Sequence, residues 1–564
     1  MLMHNFMNSF KKIFFILFLL TANFLFAQQE NVPLDNEVYS FLKEMKVKGV
    51  ISGIHDDNPN LSRYEVLNFL KEIKKSETEL SQTEKGLLSK FLVEFDDEEY
   101  NSENTVNFFG GEYSNSVLDF FSNKNKYAFV YRDSASNFYL NILGRFLHGQ
   151  SFEPRINNSE LFDIGFHFRG TVFNNLGYSL SVQKGGVSGS QSLAPTFDPR
   201  LKYNFKFIEA IENIGNYDFT EGYLRYFIQP KRNMNLSFQL GREKITFGYG
   251  YDSKLVISGD HTYLDFFKIN FDYGVFSFVS MTASTVGNFH VNRDENYTKL
   301  IALNRFKLNF PKFAEFGIGE NIIYSDRGID LAYFNPFIFY KFVEMSLQDR
   351  DNGTLWLDFQ THFIKNFEIS GTFFLDEDIL SHLQEMNLYS NKTAYQIAAF
   401  WYSPFSINDL TLILEYTKIR PFVYSHSNEK NNYTAFGEIL GHHIGPNADE
   451  IFWRVNYNLN SKTKVSLKYQ YIRSGENIYD NEGRLLFNAG GDAFVAFRDN
   501  IDPKYVDFLD GERINQNIVT ANLRYEPWRK FYIELTYKAL FEKNVTRNIS
   551  SSNSLAMFSF WFEI

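Results

Sequence analysis

The chain has 564 residues, a formal net charge of −11 and no cysteine. The acidic balance argues against nucleic acid as a partner. The missing thiol excludes disulfides, thiolate metal sites, a cysteine nucleophile and a lipid anchor on cysteine. Aromatic residues make up 18% of the chain, with 63 Phe and 34 Tyr, yet the mean hydropathy is only −0.30. So many rings are hard to bury in one soluble core, and past the N-terminus no run reaches the ~20 apolar residues of a membrane helix. Alternating strands that set rings against lipid reconcile the two observations.

In chain order, residues 1–27 read as a secretory signal: Lys11 and Lys12, the apolar run from Ile13 to Leu20, and Ala27 at the cleavage position. Residues 28–104 are expected to form a small helical periplasmic domain. Val38, Phe41, Leu42, Met45 and Val47 lie at helical spacing, and Gly49 to Gly53 end that helix. Ser62, with Glu65 three residues on, caps a second helix through Val66, Leu67, Phe69 and Leu70. A third runs from about Gln82 to Phe95. The run from Leu42 through Gly49-Val50-Ile51-Ser52-Gly53 to Leu61-Ser62-Arg63-Tyr64-Glu65 resembles one S-layer-homology unit, which implies cell-wall polymer as a partner. Such units usually act in several copies and one is evident here. A cap or plug beneath a barrel is the other reading.

From about residue 105 to residue 564 the period is two. Leu236, Phe238 and Leu240 alternate with Asn235, Ser237 and Gln239. Leu355, Leu357 and Phe359 alternate with Trp356, Asp358 and Gln360. Val465, Leu467, Tyr469 and Tyr471 alternate with Lys464, Ser466, Lys468 and Gln470. One face carries rings and aliphatics; the other carries charges and amides, which need water or partners. The last strand sets Ala556, Phe558, Phe560, Phe562 and Ile564 against Ser559 and Glu563, as expected of the strand that closes an outer-membrane barrel. Candidate spans number about 16 to 20. Turns at 174–175 and 460–461 are short, whereas 185–215, 421–450 and 475–515 are long and polar. The predicted fold is a closed antiparallel outer-membrane β-barrel, in contact with outer-membrane lipid.

A series of motifs carries a second resemblance. It runs through Gln239-Leu240-Gly241-Arg242-Glu243-Lys244, Lys254-Leu255-Val256-Ile257-Ser258, Tyr324-Ser325-Asp326-Arg327 and Asn335-Pro336-Phe337. It continues through Asp349-Arg350-Asp351-Asn352, Arg420-Pro421, Leu440-Gly441-His442-His443-Ile444-Gly445-Pro446-Asn447 and Phe508-Leu509-Asp510-Gly511-Glu512. In this order, over residues 105–564, they resemble the Wzi-type capsule-assembly proteins. The resemblance implies a barrel of about 18 strands, a lectin-like role toward capsular or other surface polysaccharide, and neither catalysis nor a cofactor.

Individual sugar-binding positions rest on physical reading instead. Glycan sites need ring faces for the sugars and forked donors for hydroxyls and carboxylates. Arg420, Tyr424, His426, His442, His443 and Asn447 offer these within one connection shaped by Gly441, Gly445 and Pro446, and Arg327 and Arg350 are further candidates. Arg454 adds a guanidinium, and Tyr249, Tyr324 and Trp453 add stacking faces. The alternative is that these arginines pair with Asp326, Glu344, Asp349, Asp351 and Asp449 inside the barrel as polar filling. Arg242 falls on the apolar phase of its strand, so either that strand has left the hydrocarbon or a bulge re-aims it.

No metal site is assigned: adjacent His442 and His443 on a strand point to opposite faces, and only a loop lets them converge. A Ser425–His426–Asp449 hydrolase lacks a nucleophile elbow, and Asp376-Glu377-Asp378 lacks an EF-hand pattern. The rival function is a diffusion porin; inward Trp356, Trp453 and Tyr532 would plug its lumen. Mass spectrometry of the membrane-extracted protein is expected to find a mature N-terminus near Gln28, and an intact Met1 would refute the signal assignment.

Overall fold

Strands form where rings and β-branched residues alternate with polar ones, because such a strand satisfies lipid on one face and a polar interior on the other. A computed structural model describes residues 28–564 apart from 97–102, 111–116, 134, 205–206, 208–214, 232, 289, 291, 349 and 377–384. The expected signal segment 1–27, Asp349, Glu377 and Asp378 lie outside the described residues.

The wall is a closed barrel of 18 long antiparallel strands. They are β1 (Asn137–Glu153), β2 (Asn157–Val172), β3 (Leu176–Gly189), β4 (Gly215–Lys231), β5 (Met234–Glu243) and β6 (Leu264–Tyr273). Next come β7 (Phe276–Val286), β8 (Thr298–Phe310), β9 (Ala314–Ser325), β10 (Asn352–Thr361), β11 (Phe367–Asp376) and β12 (Thr393–Tyr402). The last are β13 (Leu410–Ile419), β14 (Ala448–Asn460), β15 (Thr463–Glu476), β16 (Glu512–Tyr525), β17 (Phe531–Asn544) and β18 (Ile549–Glu563).

The ring closes where β18 pairs with β1 from Glu563↔Leu143 to Ser554↔Glu153. A short strand, Phe129–Arg132, runs along the first residues of β1. Thr105–Asn107 pairs only with Asn125–Tyr127, outside the barrel. The wall therefore begins at Phe129, although the alternation starts near residue 105.

The faces divide as the alternation requires. Leu357 and Leu467 are 47% and 40% exposed on the outside, whereas Trp356 is fully buried inside, lying across Gly319 of β9 where a Cβ would strike the indole. Phe531 packs against Phe120, Phe560 and Phe562, and Phe121 against Trp528, an aromatic girdle at the short-turn end. Trp453 departs from expectation. It pairs in register with Tyr469 and Leu414, its ring 5.8 Å from that of Tyr469, on the outer face. Tyr532 does face inward, stacked on Trp561. Arg242 lies outside, with its side chain 3.4 Å from Asp265 on the neighbouring β6, and the β5–β6 register has no bulge. The strand has left the hydrocarbon there.

Among the described residues, three helices occupy the short-turn end. α1 (Val38–Lys48) ends at Gly49, whose φ of 82° favours glycine. α2 (Arg63–Lys75) and α3 (Gln82–Phe95) each start with a capping box, Ser62 with Glu65 and Ser81 with Glu84. Phe41, Leu42, Val66, Leu70, Leu88 and Phe91 share one core with Phe400, Tyr402, Ile413 and Phe452 of the wall. Polar ties reinforce this seat: Tyr402 donates to Glu84 at 2.7 Å, Thr411 to Glu44 at 3.1 Å and Arg529 to Glu94 at 2.6 Å.

At the other end, long connections take two directions. Connections 244–263 and 420–447 fold into the lumen. Connection 326–351 instead folds outward. Its short helices Leu331–Phe334 and Tyr340–Ser346 bring Tyr333 and Tyr340 over Leu300, Ala302, Ile322 and Tyr324 on the outer face of β8 and β9.

The face assignment predicts a large asymmetry. Leu467→Lys is expected to cost about 2–4 kcal/mol, the value for a lysine facing lipid near the bilayer midplane, while Ser466→Lys costs much less. Urea unfolding of the barrel in lipid vesicles checks this, and equal costs would overturn the assignment.

Candidate functional site

Within the lumen, Ile245, Phe247, Leu255, Val256 and Ile257 of connection 244–263 pack with Val423, Tyr424, Tyr433 and Leu440 of connection 420–447. Met281, Leu303, Trp356 and Phe374 of the wall complete this cluster. A pair of backbone bonds between Phe247 and Ile257 folds the first connection back on itself, and the Ser258 amide donates to the Leu440 carbonyl at 2.8 Å. The Tyr424 hydroxyl donates to the Leu255 carbonyl at 2.9 Å and accepts from the His442 amide at 3.2 Å, and its ring stacks on Tyr433 at 5.3 Å. The two connections thus form one apolar bar across the barrel.

Beside this bar lies a polar cluster built from both connections and the inner faces of β13, β14 and β15. Asp252 faces Lys468 at 3.0 Å, Arg454 at 3.5 Å and His443 at 3.7 Å. Burial opposes ionisation of Asp252, but Lys468, His443 and Arg454 together hold its carboxyl below the ordinary range. His443 Nε2 lies 3.7 Å from Glu450 Oε1, and His442 Nε2 lies 3.7 Å from Glu450 Oε2. The two imidazole rings stack with centroids 4.8 Å apart. Gln470 Nε2 donates to both Asp252 Oδ2 and Glu450 Oε1, each at 2.8 Å. Burial, with His443 beside it, pushes the His442 imidazole well below the histidine range, so it is neutral. The two histidines converge because they lie in a turn, not in a strand. The opposite-face argument against their convergence does not hold here.

The eight expected site residues fall in separate places. Tyr424 and His442 are fully buried in the lumen with His443 exposed beside His442, and Asn447 is fully buried where the connection before β14 meets the connection after β15. Asn447 is a structural knot. Its amide donates to the carbonyls of Gly475, Ala489 and Asp510, and its oxygen accepts from the Leu509 amide. His426 Nδ1 accepts from the Asn428 amide at 3.0 Å. Arg420 has no carboxylate in ion-pair range among the described residues, and its buried Nε has no partner; Nη1 is 3.7 Å from Met386 Sδ. Arg327 binds Asp351 through both terminal nitrogens and lies 4.5 Å from the Tyr324 ring centre, outside the wall. Arg350 is exposed beside the same Asp351. Arg327 and Asp351 are therefore not lumenal filling, and Asp449 pairs with Arg473 on the outer face.

Ser425, His426 and Asp449 do not assemble as a triad: Ser425 donates to the Phe422 carbonyl while Asp449 faces Arg473 and Tyr416. Asp252, Glu450 and Gln470 escaped the sequence reading. For the last two the signal was the polar phase: Glu450 and Arg454 share one face of β14, and Lys468 and Gln470 share one face of β15.

Rings outside, charges inside and a closed 18-strand antiparallel wall define an outer-membrane β-barrel. Residues 389–543, from the connection before β12 through most of β17, match the family described as Capsule assembly protein Wzi. Among solved structures, Wzi of Escherichia coli aligns with a TM-score of 0.57 at 12% identity, over 94% of this chain and 99% of that one. That protein is described as a carbohydrate-binding β-barrel involved in group 1 capsule assembly. OprD of Pseudomonas aeruginosa aligns with a TM-score of 0.42 at 9% identity, over 76% of this chain and 95% of that one. No curated protein matches the chain.

Truncating the ring at the centre of the bar tests what it blocks. Tyr424→Ala removes a fully buried ring and two hydrogen bonds, a local loss of about 3–5 kcal/mol. Single-channel conductance in planar bilayers is expected to rise above wild type while the barrel still migrates differently when boiled and unboiled.

Proposed function

We propose that this barrel holds or organises surface polysaccharide at the outer membrane without catalysis. The observation that carries the reading is the match of residues 389–543 to the capsule-assembly family. That stretch supplies most of β12 to β17 and two long connections, so it covers both wall and loop surface. The capsule-assembly barrel of Escherichia coli shares the fold over nearly the whole chain. The lumen supports the same direction. An apolar bar crosses it and helices occupy its short-turn end, which is poor design for a diffusion porin.

The polymer contacts lie on the loop surface. Arg350 is exposed, and Arg420, 9% exposed just beneath that surface, carries a guanidinium that no carboxylate among the described residues neutralises. Both suit an acidic polymer. Tyr424, His442 and Asn447 hold the connection in shape and act on the polymer only through it. The helices α1 to α3 serve as a periplasmic plug, because Lys43, Glu44, Lys46, Glu84 and Glu94 are spent on one another and on the wall instead of being presented to cell-wall polymer.

Cells lacking the protein are expected to shed polysaccharide into the medium. Wild-type protein restores retention, and the Arg350→Ala, Arg420→Ala double variant restores it only partly, with normal protein level and heat-modifiability. Unchanged retention in cells without the protein, together with open-pore conductance of the purified barrel, would favour the porin instead.

A further inference from the structure

Glu450 presents an unusual situation. It is 1% exposed, no Lys or Arg among the described residues lies within ion-pair range of it, and its Oε2 has no hydrogen-bond partner. A buried carboxylate in that state is costly unless something else meets it. Two imidazoles face this carboxylate, and the Asp252 carboxylate stands on the other side of His443 Nε2 at 3.7 Å. We propose that His442, His443 and Glu450, with Asp252 as the fourth ligand, bind a divalent transition-metal cation of the zinc class in the barrel lumen.

The geometry is close to what such an ion requires. One donor atom from each of His442, His443 and Glu450 lies within 4.8 Å of the others. The individual separations are 3.7 Å from His442 Nε2 to Glu450, 3.7 Å from His443 Nε2 to Glu450 and 3.7 Å from His443 Nε2 to Asp252. Tetrahedral nitrogen and oxygen donors at their normal bond lengths sit about 3.4 Å apart. Closure of the site draws the three donors in from separations of up to 4.8 Å, splays the stacked imidazoles so that both point at the ion, and brings Asp252 Oδ2 in from its place beside His443. Asp252 is divided in its duties: Oδ1 takes Arg454 and Lys468, leaving Oδ2 toward His443. Gln470 bridges the two carboxylates and orients both, the usual work of an outer-layer residue at a metal site.

The donor set selects the ion. Two imidazole nitrogens with carboxylate oxygens suit zinc and its neighbours, whereas calcium and magnesium prefer oxygen alone. The competing contacts of His442 are long: Thr417 Oγ1 is 3.4 Å from Nε2, and the Ile444 amide is 3.5 Å from Nδ1. Metal on Nε2 displaces the first and requires a proton on Nδ1, so the Ile444 amide must turn away. The exposed His443 gives the ion a way in. Once bound, it would join connection 244–263, connection 420–447 and β14 at one point, fastening the lumenal bar to the wall.

The test uses the full-length barrel in detergent after chelator treatment. Titration with Zn(II) is expected to load one ion per chain, and Co(II) is expected to give the visible bands of a four-coordinate site that Zn(II) then abolishes. His443→Ala and Glu450→Gln are each expected to weaken binding at least about 100-fold, while His148→Ala and His290→Ala, at half-buried histidines beside acidic residues, leave it unchanged. Absorption spectroscopy at the zinc edge of the wild-type protein supplies a reading that needs no variant, with two imidazoles expected around the ion. Absence of stoichiometric uptake, an all-oxygen shell, or full binding by the His443→Ala, Glu450→Gln double variant would overturn the proposal. None of these outcomes depends on whether the protein holds polysaccharide.

Discussion

Asp57 lies on the segment between α1 and α2, 1% exposed, with its carboxylate held by Arg305 and by Lys307 at 2.7 Å on the inner face of β8. Arg305 also reaches Asp358 at 2.8 Å, and Lys307 reaches Glu315 at 3.5 Å. Next to it, Lys43 and Lys46 meet Asp56 and, across the gap, Glu368 and Gln360 of the wall. Burial alone would raise the Asp56 carboxyl, yet the two lysines more than offset this and hold it well below its usual range. These charges make the helices and the barrel one structure. A charge withdrawn from water is tolerable only when its partners stay in place, and here the partners come from opposite sides of the joint. If the segment left, Arg305, Lys307 and Glu368 would face the lumen without counter-ions unless water followed them in.

The same rule explains what could be read from the amino-acid sequence and what could not. In a barrel wall each residue meets either lipid or lumen, so polarity alternates with the fold, and β15 and β17 stand out for that reason. The three helices were legible from apolar spacing and from Ser62 and Ser81 three residues before a glutamate. Connection 244–263 was not, because Ile245, Phe247 and Tyr249 alternate like a strand. They do so to pack inside the lumen, where Tyr249 hydrogen-bonds Glu315. Trp453 misled for a related reason: its neighbours Phe452 and Arg454 both point inward, one into the helix core and one to Asp252, so bulk alone did not mark the lumenal face.

Of the candidate site, the connection 420–447 was visible through its histidines, glycines and Pro446, but the partners of those histidines were not. Asp252 lies 190 residues away in the chain from His442, and Glu450 and Gln470 sit on separate strands. The β14–β15 hairpin brings Glu450 to Gln470, and only the folding of connection 244–263 into the lumen brings Asp252 to them. Folding also separates what looked like one constellation. Arg327 and Arg420 read as equivalent guanidiniums, yet one is neutralised by Asp351 outside the wall and the other has no carboxylate among the described residues. The first is a fastening, and the second lies buried beside Met386.

The outward turn of connection 326–351 follows from the wall beneath it. On the lipid-facing phase of β8 and β9 stand two polar side chains, Asn304 and Glu320, in step with Leu300, Ala302, Phe316 and Ile318. Neither can face hydrocarbon unpartnered. The folded connection supplies partners: Glu320 accepts from the Tyr340 amide at 2.9 Å, and Asn304 donates to the Ile338 carbonyl at 3.3 Å. It then presents Phe337, Phe342 and Leu331 in their place, 86%, 71% and 80% exposed. Polar wall residues and exposed rings that look like two separate faults in an outer-membrane barrel are thus the two sides of one device. The connection renews the apolar belt over a stretch of wall that lacks it, and the Arg327–Asp351 pair, with the Tyr333 hydroxyl donating to Asp351 at 2.9 Å, anchors it at its base.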